Sequence, residues 1–258
     1  MNSYPDRHHP CFFLEDALTA LGAQAQVVRN EQTLGCWGLM VNGKRMVWLI
    51  DNRHPHEALT EDPAARQLLT EDVLVCHAQL LDAERVGGKW LPLAVTPGYR
   101  TPDKPVEKLY DVAFVGYVRD SARAEILRHV ARLFSLCVEQ GAFGDNAVSA
   151  YWSARVGLNI PTGYGQADAY DSANMRCFEI LATGTPLVTE FQLYLFELGL
   201  TPAENYESYS SPDDLLRAVE QFVRRPKLAE EVGNAGAKLA QERHTYEARA
   251  KQVLAWLE

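Results

Sequence analysis

The segment over residues 171–188 constrains the fold more than any other part of the chain. Its pattern predicts a loop, then a helix over 174–183 that ends at Gly184, then a short buried strand over 187–189. A helix that turns tightly into a continuous apolar strand is typical of sheets whose strands run parallel and are covered on both faces. The segment therefore favours an α/β fold.

Further apolar strands alternate with helices around this segment. A continuous apolar run predicts a strand over 111–115, a strand-like stretch follows over 156–160, and a helix is predicted from 121 to 139. Beyond the segment the chain reads as almost entirely helical, over 212–224, 226–241 and 246–257. Alternating strands and helices predict a parallel sheet covered by helices on both faces for this half of the chain.

A second, smaller domain is indicated in the first part of the chain. Asn42-Gly43 separates two apolar strands, over 36–41 and 45–50, and both turn residues tolerate the positive φ of a tight hairpin. Residues 96–108 contain three prolines and little apolar content, which is typical of a linker. We expect a short N-terminal domain over 1–105, a C-terminal domain over 106–245, and a final helix over 246–258.

The charge balance limits the classes of partner. The 258 residues carry a net charge of -9 at pH 7. A protein that binds nucleic acid mainly through phosphates needs the opposite balance, so nucleic acid is left open as a partner but is not favoured. No apolar run reaches the roughly 18 residues of a membrane helix, and the N-terminus lacks the apolar core of a signal peptide. We therefore expect a cytoplasmic protein without a membrane span.

The start of the helix over 174–183 is suited to holding an anion. Ser172 or Asn174 is a suitable N-cap, and the first turn offers backbone N–H groups and the positive end of the helix dipole. Arg176 adds a positive charge for a phosphate, and Glu179, one turn later, offers a carboxylate to two ribose hydroxyls. The same pattern also fits a solvated helix with Glu179 on its outer face, so both interpretations stay open.

Polar residues and a glycine follow the strands of the same half. Gly116 ends the strand over 111–115, where the missing Cβ lets a ligand approach the backbone. Arg119 comes next and is a candidate for neutralising a diphosphate, and Asn159 is a candidate hydrogen-bonding group at the end of a second strand. The alternative is a plain strand-to-helix turn with solvated arginines, which we favour for Arg123.

Two residues of the N-terminal half are candidates for a general base. Asp51 ends an apolar strand and His54 follows three residues later. Either side chain is suited to act as general base for an incoming hydroxyl group. A polar loop with both side chains in solvent is the alternative.

The helix segment resembles the donor-binding signature of glycosyltransferases with two facing Rossmann-like domains, the GT-B type. It is most similar to the spore-maturation-protein-like group, which carries the run Arg-x-Phe-Glu-x-x-Ala-x-Gly-x-Pro-Leu. Many such enzymes have a glutamate eight positions before the signature glutamate, where this chain has Asp171. The residues that match the run are Arg176, Phe178, Glu179, Ala182, Gly184, Pro186 and Leu187.

Three other stretches, over 110–116, 157–160 and 244–249, resemble the same group in the same order. The resemblance implies a GT-B-like fold with a reduced N-terminal domain, and a final helix that crosses back to that domain. It implies a nucleoside diphosphate sugar as donor and co-substrate, held by Gly116, Arg119, Asn159 and the segment from Asp171 to Glu179. A hydroxyl group would be the acceptor, and a modified DNA base in a viral system is a narrower version of this interpretation. A degenerate homologue that binds a nucleotide or partner without transfer is the alternative.

Metal-binding motifs are absent from the sequence. It has no Asp-x-Asp, and Asp168 and Asp171 fit a hydrated loop as easily as a metal site. The five cysteines are far apart and form no Cys-x-x-Cys, which predicts free thiols rather than a zinc site. We expect no required metal and no cofactor.

Overall fold

The computed structural model describes five stretches of the chain, residues 9–29, 37–50, 72–118, 121–161 and 174–258. The chain divides into two compact units. The first comprises Met1–Ala94 and Thr245–Glu258, and the second comprises Val95–His244. The division therefore lies at Ala94 and Val95, earlier in the chain than the sequence-based boundary at residue 105.

The first unit is built on a five-stranded mixed sheet in the order β1-β2-β3-β4-β5. Its strands are β1 (Ala25–Arg29), β2 (Trp37–Val41), β3 (Lys44–Leu49), β4 (Val73–His77) and β5 (Lys89–Trp90), and the helices α1 (Pro10–Ala20) and α2 (Leu80–Val86) precede β1 and follow β4. Strands β1, β2 and β3 pair antiparallel, whereas β3, β4 and β5 pair parallel. Asn42 and Gly43, with φ of 51° and 80°, join β2 to β3, so the predicted hairpin is confirmed.

The second unit contains a five-stranded sheet in the order β10-β9-β8-β6-β7, and every pair in it is parallel. The predicted α/β class is thus confirmed. Its strands are β6 (Tyr110–Val115), β7 (Leu136–Glu139), β8 (Ala154–Asn159), β9 (Leu187–Glu190) and β10 (Glu207–Tyr209). Its helices are α3 (Ser121–Ala131), α4 (Asp145–Trp152), α5 (Met175–Ala182), α6 (Leu193–Glu197), α7 (Pro212–Arg224) and α8 (Pro226–Arg243).

The prediction of a helix from 121 to 139 is wrong for the second half of that range. Helix α3 ends at Ala131, and the amides of Leu133 and Phe134 then donate to the carbonyl of Val130 in a turn. The residues that follow pair with β6 as the edge strand β7. Pairing with a neighbouring strand decides the structure here, and local periodicity does not reveal it.

The central strands β6 and β8 form the core of the second unit. Their side chains alternate between the two faces of the sheet, and one face packs on α3, α7 and α8. On the opposite face, a Cβ on Gly157 would collide with Ile180 of α5. That glycine therefore lets α5 lie close against the sheet, which positions the helix that carries the candidate site.

Residues 96–108 belong to the second unit rather than forming a free linker. The indole Nε1 of Trp152 donates to the carbonyl of Arg100 at 2.9 Å, and Lys108 Nζ donates to the carbonyl of Trp152 at 2.8 Å. The guanidinium of Arg100 also lies 5.7 Å from the centre of the Trp152 ring. These contacts hold the proline-rich segment against α4.

The last helix, α9 (Tyr246–Leu257), lies in the first unit. The rings of Phe13 in α1 and Tyr246 are 5.3 Å apart. Arg249 is buried and donates from Nε to the carbonyl of Pro92 at 2.9 Å and from a terminal nitrogen to that of Leu93 at 3.2 Å. The helix therefore anchors the chain just before it enters the second unit.

Candidate functional site

The candidate site lies where β6 and β8 end and α5 begins. Gly116 follows β6, Asn159 is the last residue of β8, and Asn174 precedes the first turn of α5. Because the carboxyl ends of parallel strands meet at one edge of a sheet, these positions come together, as ligand sites of open α/β sheets do. The structure thus brings together four of the predicted site residues, the three above with Arg176, and places the fifth, Glu179, within reach of the charge of Arg176.

Asn159 is the centre of the polar network. It is fully buried, and its Oδ1 accepts hydrogen bonds from Arg176 at 2.7 Å and from Asn174 Nδ2 at 3.0 Å. Its Nδ2 donates to Thr189 Oγ1 at 2.9 Å and to Cys177 Sγ at 3.2 Å. A fully satisfied buried amide of this kind fixes the start of α5 relative to the strand ends.

Asn174 occupies the N-cap position of α5 with extended backbone, but its side chain does not cap the helix. The side chain donates to Asn159 instead. Of the two residues predicted to cap the helix, Ser172 lies outside the described residues, and the prediction is wrong for the side chain of Asn174. The hydrogen bond from its Nδ2 to Asn159 orients the amide so that its oxygen does not accept from the first turn of α5. Its position at the helix N-terminus is as predicted.

Arg176 is held in place by acceptors on the strand ends. Its Nε donates to the carbonyl of Val115 at 2.6 Å, and its guanidinium lies 4.8 Å from the centre of the Phe114 ring. A second nitrogen reaches Asn159. The charge is thus fixed at the edge of the sheet rather than free in solvent.

Gly116 leaves the space that this guanidinium occupies. Its φ is +151°, and a Cβ built on it would collide with a terminal nitrogen of Arg176. Any larger residue would displace the arginine. The glycine predicted to admit a ligand therefore admits the Arg176 side chain to the backbone at the end of β6.

Glu179 is buried in the second turn of α5, so a place on a solvated outer face is excluded. Its Oε1 accepts a hydrogen bond of 2.8 Å from Thr96 Oγ1. Burial raises the pKa of Glu179, while the Thr96 hydrogen bond and the charge of Arg176 lower it.

Two buried tyrosines also interact with this carboxylate. Burial raises the pKa of both Tyr99 and Tyr151, and the negative charge of Glu179 raises both further. Neither tyrosine nor Thr96 was identified from the sequence. They lie far from Glu179 along the chain and in no recognisable motif, so only the tertiary structure brings them to it.

Arg123 differs from the solvated side chain expected from the sequence. It is buried, and its two terminal nitrogens donate to the carbonyls of Tyr117 at 2.7 Å and Ile160 at 2.9 Å. It therefore stabilises the loops that follow β6 and β8. Four of the predicted site residues, Asp51, His54, Arg119 and Asp171, lie outside the described residues.

Within the described ranges, no group of three or more His, Cys, Asp and Glu side chains is placed to hold a metal ion. Asp168 and Asp171 lie outside those ranges. In the same part of the chain, none of the helices has the length and apolar character needed to cross a membrane.

Comparison with protein families places most of the second unit in one family. A family model described as glycosyl transferase-like matches residues 108–255, which is more than half of the chain. A comparison with curated protein sequences finds no match.

Solved structures of glycosyl-transferring enzymes share the fold. A sucrose-phosphate synthase from Thermosynechococcus elongatus is 14% identical, with a TM-score of 0.51 over 81% of this chain and 63% of that one. A variant of T4 phage BGT in complex with UDP-glucose is 12% identical, with a TM-score of 0.51 over 82% of this chain and 72% of that one. The DNA modifying enzyme beta-glucosyltransferase, solved with and without uridine diphosphoglucose, is 12% identical, with a TM-score of 0.50 and the same coverages of 82% and 72%.

These likenesses confirm the GT-B-type fold that the resemblance implied. At such low identity they describe the fold alone. This chain spans 63% of the length of the sucrose-phosphate synthase.

Proposed function

Because the chain belongs to the glycosyl transferase-like family, we propose that it transfers a sugar from a nucleoside diphosphate sugar to a hydroxyl group. The observation that carries the proposal is the pair of Arg176 and Glu179 on α5, one a fixed cation and the other a buried carboxylate. These are the two charges that a nucleoside diphosphate needs, a positive one for phosphate and a negative one for ribose hydroxyls.

Glu179 is assigned to the ribose. A carboxylate accepts hydrogen bonds from vicinal hydroxyls, and those bonds are stronger where water is excluded. Its buried position next to Thr96 supports this role.

Arg176 is assigned to the diphosphate, together with the backbone amides near Gly116 and Asn174. As the glycosidic bond to the donor phosphate breaks, negative charge develops on the departing diphosphate. A guanidinium already held by Val115 and Asn159 stabilises that charge without reorganising during the reaction. Arg119 and Asp171 are proposed as further donor ligands, the first for phosphate and the second for the sugar.

A uridine diphosphate sugar is the donor to test first, because two of the similar structures were solved with UDP-glucose. The acceptor hydroxyl is proposed to meet Asp51 or His54, one of which would remove its proton. A modified DNA base is a candidate acceptor by analogy with the DNA modifying enzyme, although the net charge of -9 does not favour binding through DNA phosphates.

The test is a thermal-shift and calorimetric comparison of UDP, GDP and ADP, followed by an assay of UDP-glucose breakdown. The matching nucleotide should stabilise the protein by roughly 2.7 kcal/mol when present at about 100 times its Kd. Slow release of glucose from the matching donor would indicate a catalytic protein. Binding without any release over days would favour the degenerate homologue, and no binding of any nucleotide would refute the proposal.

Metal independence is a separate proposal. UDP affinity and donor breakdown should be unchanged in excess EDTA, because Arg176 and the helix N-terminus are expected to balance the diphosphate charge. Calorimetry and product analysis with and without chelator measure this. Activity that falls with EDTA and returns with manganese or magnesium would contradict it and direct attention to Asp168 and Asp171.

A further inference from the structure

The carboxylate of Glu179 is held by a residue outside every motif of the sequence. Thr96 precedes it by 83 positions and donates from Oγ1 to Oε1 at 2.8 Å. Both residues are buried. Thr96 belongs to the segment by which the chain enters the second unit at Val95.

The hydroxyl proton has two acceptors within reach, and their chemistry decides between them. Met175 Sδ is 3.9 Å from Oγ1, whereas the carboxylate oxygen is 2.8 Å away. A thioether is a weak acceptor and a carboxylate a strong one, so the proton goes to Glu179. One carboxylate oxygen is thereby fixed, and the planar group presents its other oxygen in a defined direction.

We propose that Thr96 is a positioning residue for the ribose of the nucleotide, because its hydroxyl fixes Oε1 of Glu179 so that the carboxylate meets the ribose hydroxyls already oriented. The inference rests on the proposed function, in which Glu179 binds ribose. Thr96 itself does not contact the nucleotide in this scheme. Because Thr96 already holds Glu179 in the free protein, the carboxylate loses less conformational freedom when the nucleotide binds.

The hydroxyl also favours the ionised form of Glu179. The titratable groups around the carboxylate are Arg176 and Cys177 on its own helix, Tyr99 from the entry segment, and Tyr151 from α4. Burial raises the pKa of Glu179, whereas Thr96 and Arg176 lower it, and the hydrogen bond from Thr96 has the larger effect of the two. Loss of the hydroxyl should therefore raise the pKa of Glu179 further. As the solution is acidified, the variant should then lose its affinity for UDP at a higher pH than the wild-type protein does.

The experiment compares the full-length wild-type protein with Thr96→Val, Thr96→Ala and Thr96→Ser, using UDP and 2′,3′-dideoxy-UDP as probes. Removal of a hydrogen bond to a charged group should weaken UDP binding about tenfold in the valine and alanine variants. The serine variant keeps the hydroxyl and should stay within about threefold of wild type. All four proteins should bind the dideoxy analogue with the same affinity, because it has no hydroxyls for Glu179 to meet. The pH at which UDP affinity falls by half should move upward in the valine and alanine variants only.

The outcomes separate the two proposals. Wild-type protein that binds no nucleoside diphosphate overturns the proposed function and this inference with it. If the wild type binds UDP but Thr96→Val and Thr96→Ala bind it equally well, only the role of Thr96 is overturned. The same conclusion follows if these variants lose equal affinity for both probes, because a merely structural role would weaken both. Urea unfolding shows which of the two variants is folded, and either one suffices for the comparison.

Discussion

Replacement of Glu179 by glutamine is expected to weaken UDP binding about 100-fold, which corresponds to roughly 2.7 kcal/mol. The amide has the shape of the carboxylate but lacks its charge, so the charge-assisted hydrogen bonds to the ribose hydroxyls are lost. Titration calorimetry at pH 7 measures the change. An affinity within threefold of the wild-type value would remove Glu179 from the nucleotide site.

The same substitution should leave the second unit at least as stable as in the wild-type protein. Burial raises the pKa of Glu179 in the folded state above its ordinary value of 4.5. In the pH range between these two pKa values, the native protein therefore binds more protons than the unfolded chain. The free energy of unfolding therefore falls as the pH rises through that interval, and at higher pH the ionised carboxylate remains a cost. Glutamine has no such cost. Urea unfolding at pH 7 should give a midpoint no lower than that of wild type.

A second buried carboxyl provides the matched control. Glu190 ends β9, is buried, and has its pKa raised by burial, but it has no proposed contact with the nucleotide. Glu190→Gln is expected to bind UDP as the wild-type protein does. Equal losses in both variants would trace the effect to the loss of a buried charge in this unit rather than to Glu179.

The sequence was sufficient to predict the elements that carry the site. The strands predicted at 111–115, 156–160 and 187–189 are short, mainly apolar stretches, and the structure has a strand at each of these places. The helix between Asn174 and Gly184 has a clear start and stop. The order of strands and helix therefore places the charges of its first two turns near the strand ends.

The bonds that those charges make could not be predicted. Arg176 was expected to face a ligand, yet it also binds the carbonyl of Val115 and the amide of Asn159, contacts that depend on the packing of α5 against the sheet. The prolines of the segment over 96–108 favour a linker. Its role in holding α4 and Glu179 depends on side chains that meet only in the folded unit.

The buried cation of the last helix gives the largest expected effect on stability. Arg249→Ala should lower the free energy of unfolding of the first unit by about 4 kcal/mol, because two buried carbonyls lose their donor and a cavity forms. Burial lowers the pKa of Arg249 to about 10, so the side chain is still a cation at neutral pH and its charge is met by the carbonyls of Pro92 and Leu93. Hydrogen exchange is the suitable measurement, because it reports on each unit separately.

Backbone amides of β3 and β4 should exchange faster in Arg249→Ala, by about a factor of 10 for every 1.4 kcal/mol by which the free energy of unfolding falls. Amides of β8, in the second unit, should exchange as slowly as in the wild-type protein. Lys251→Ala is the control on the same helix, since Lys251 is exposed and forms an ion pair with Glu247 one turn away. A surface pair of this kind contributes less than about 1 kcal/mol, so this variant should exchange like the wild-type protein. Equal exchange in the two variants would mean that the contacts of Arg249 with residues 92 and 93 do not hold the final helix to the first unit. Faster exchange of β8 in Arg249→Ala would mean instead that the two units unfold together, and that the stability of the nucleotide site depends on the last helix of the chain.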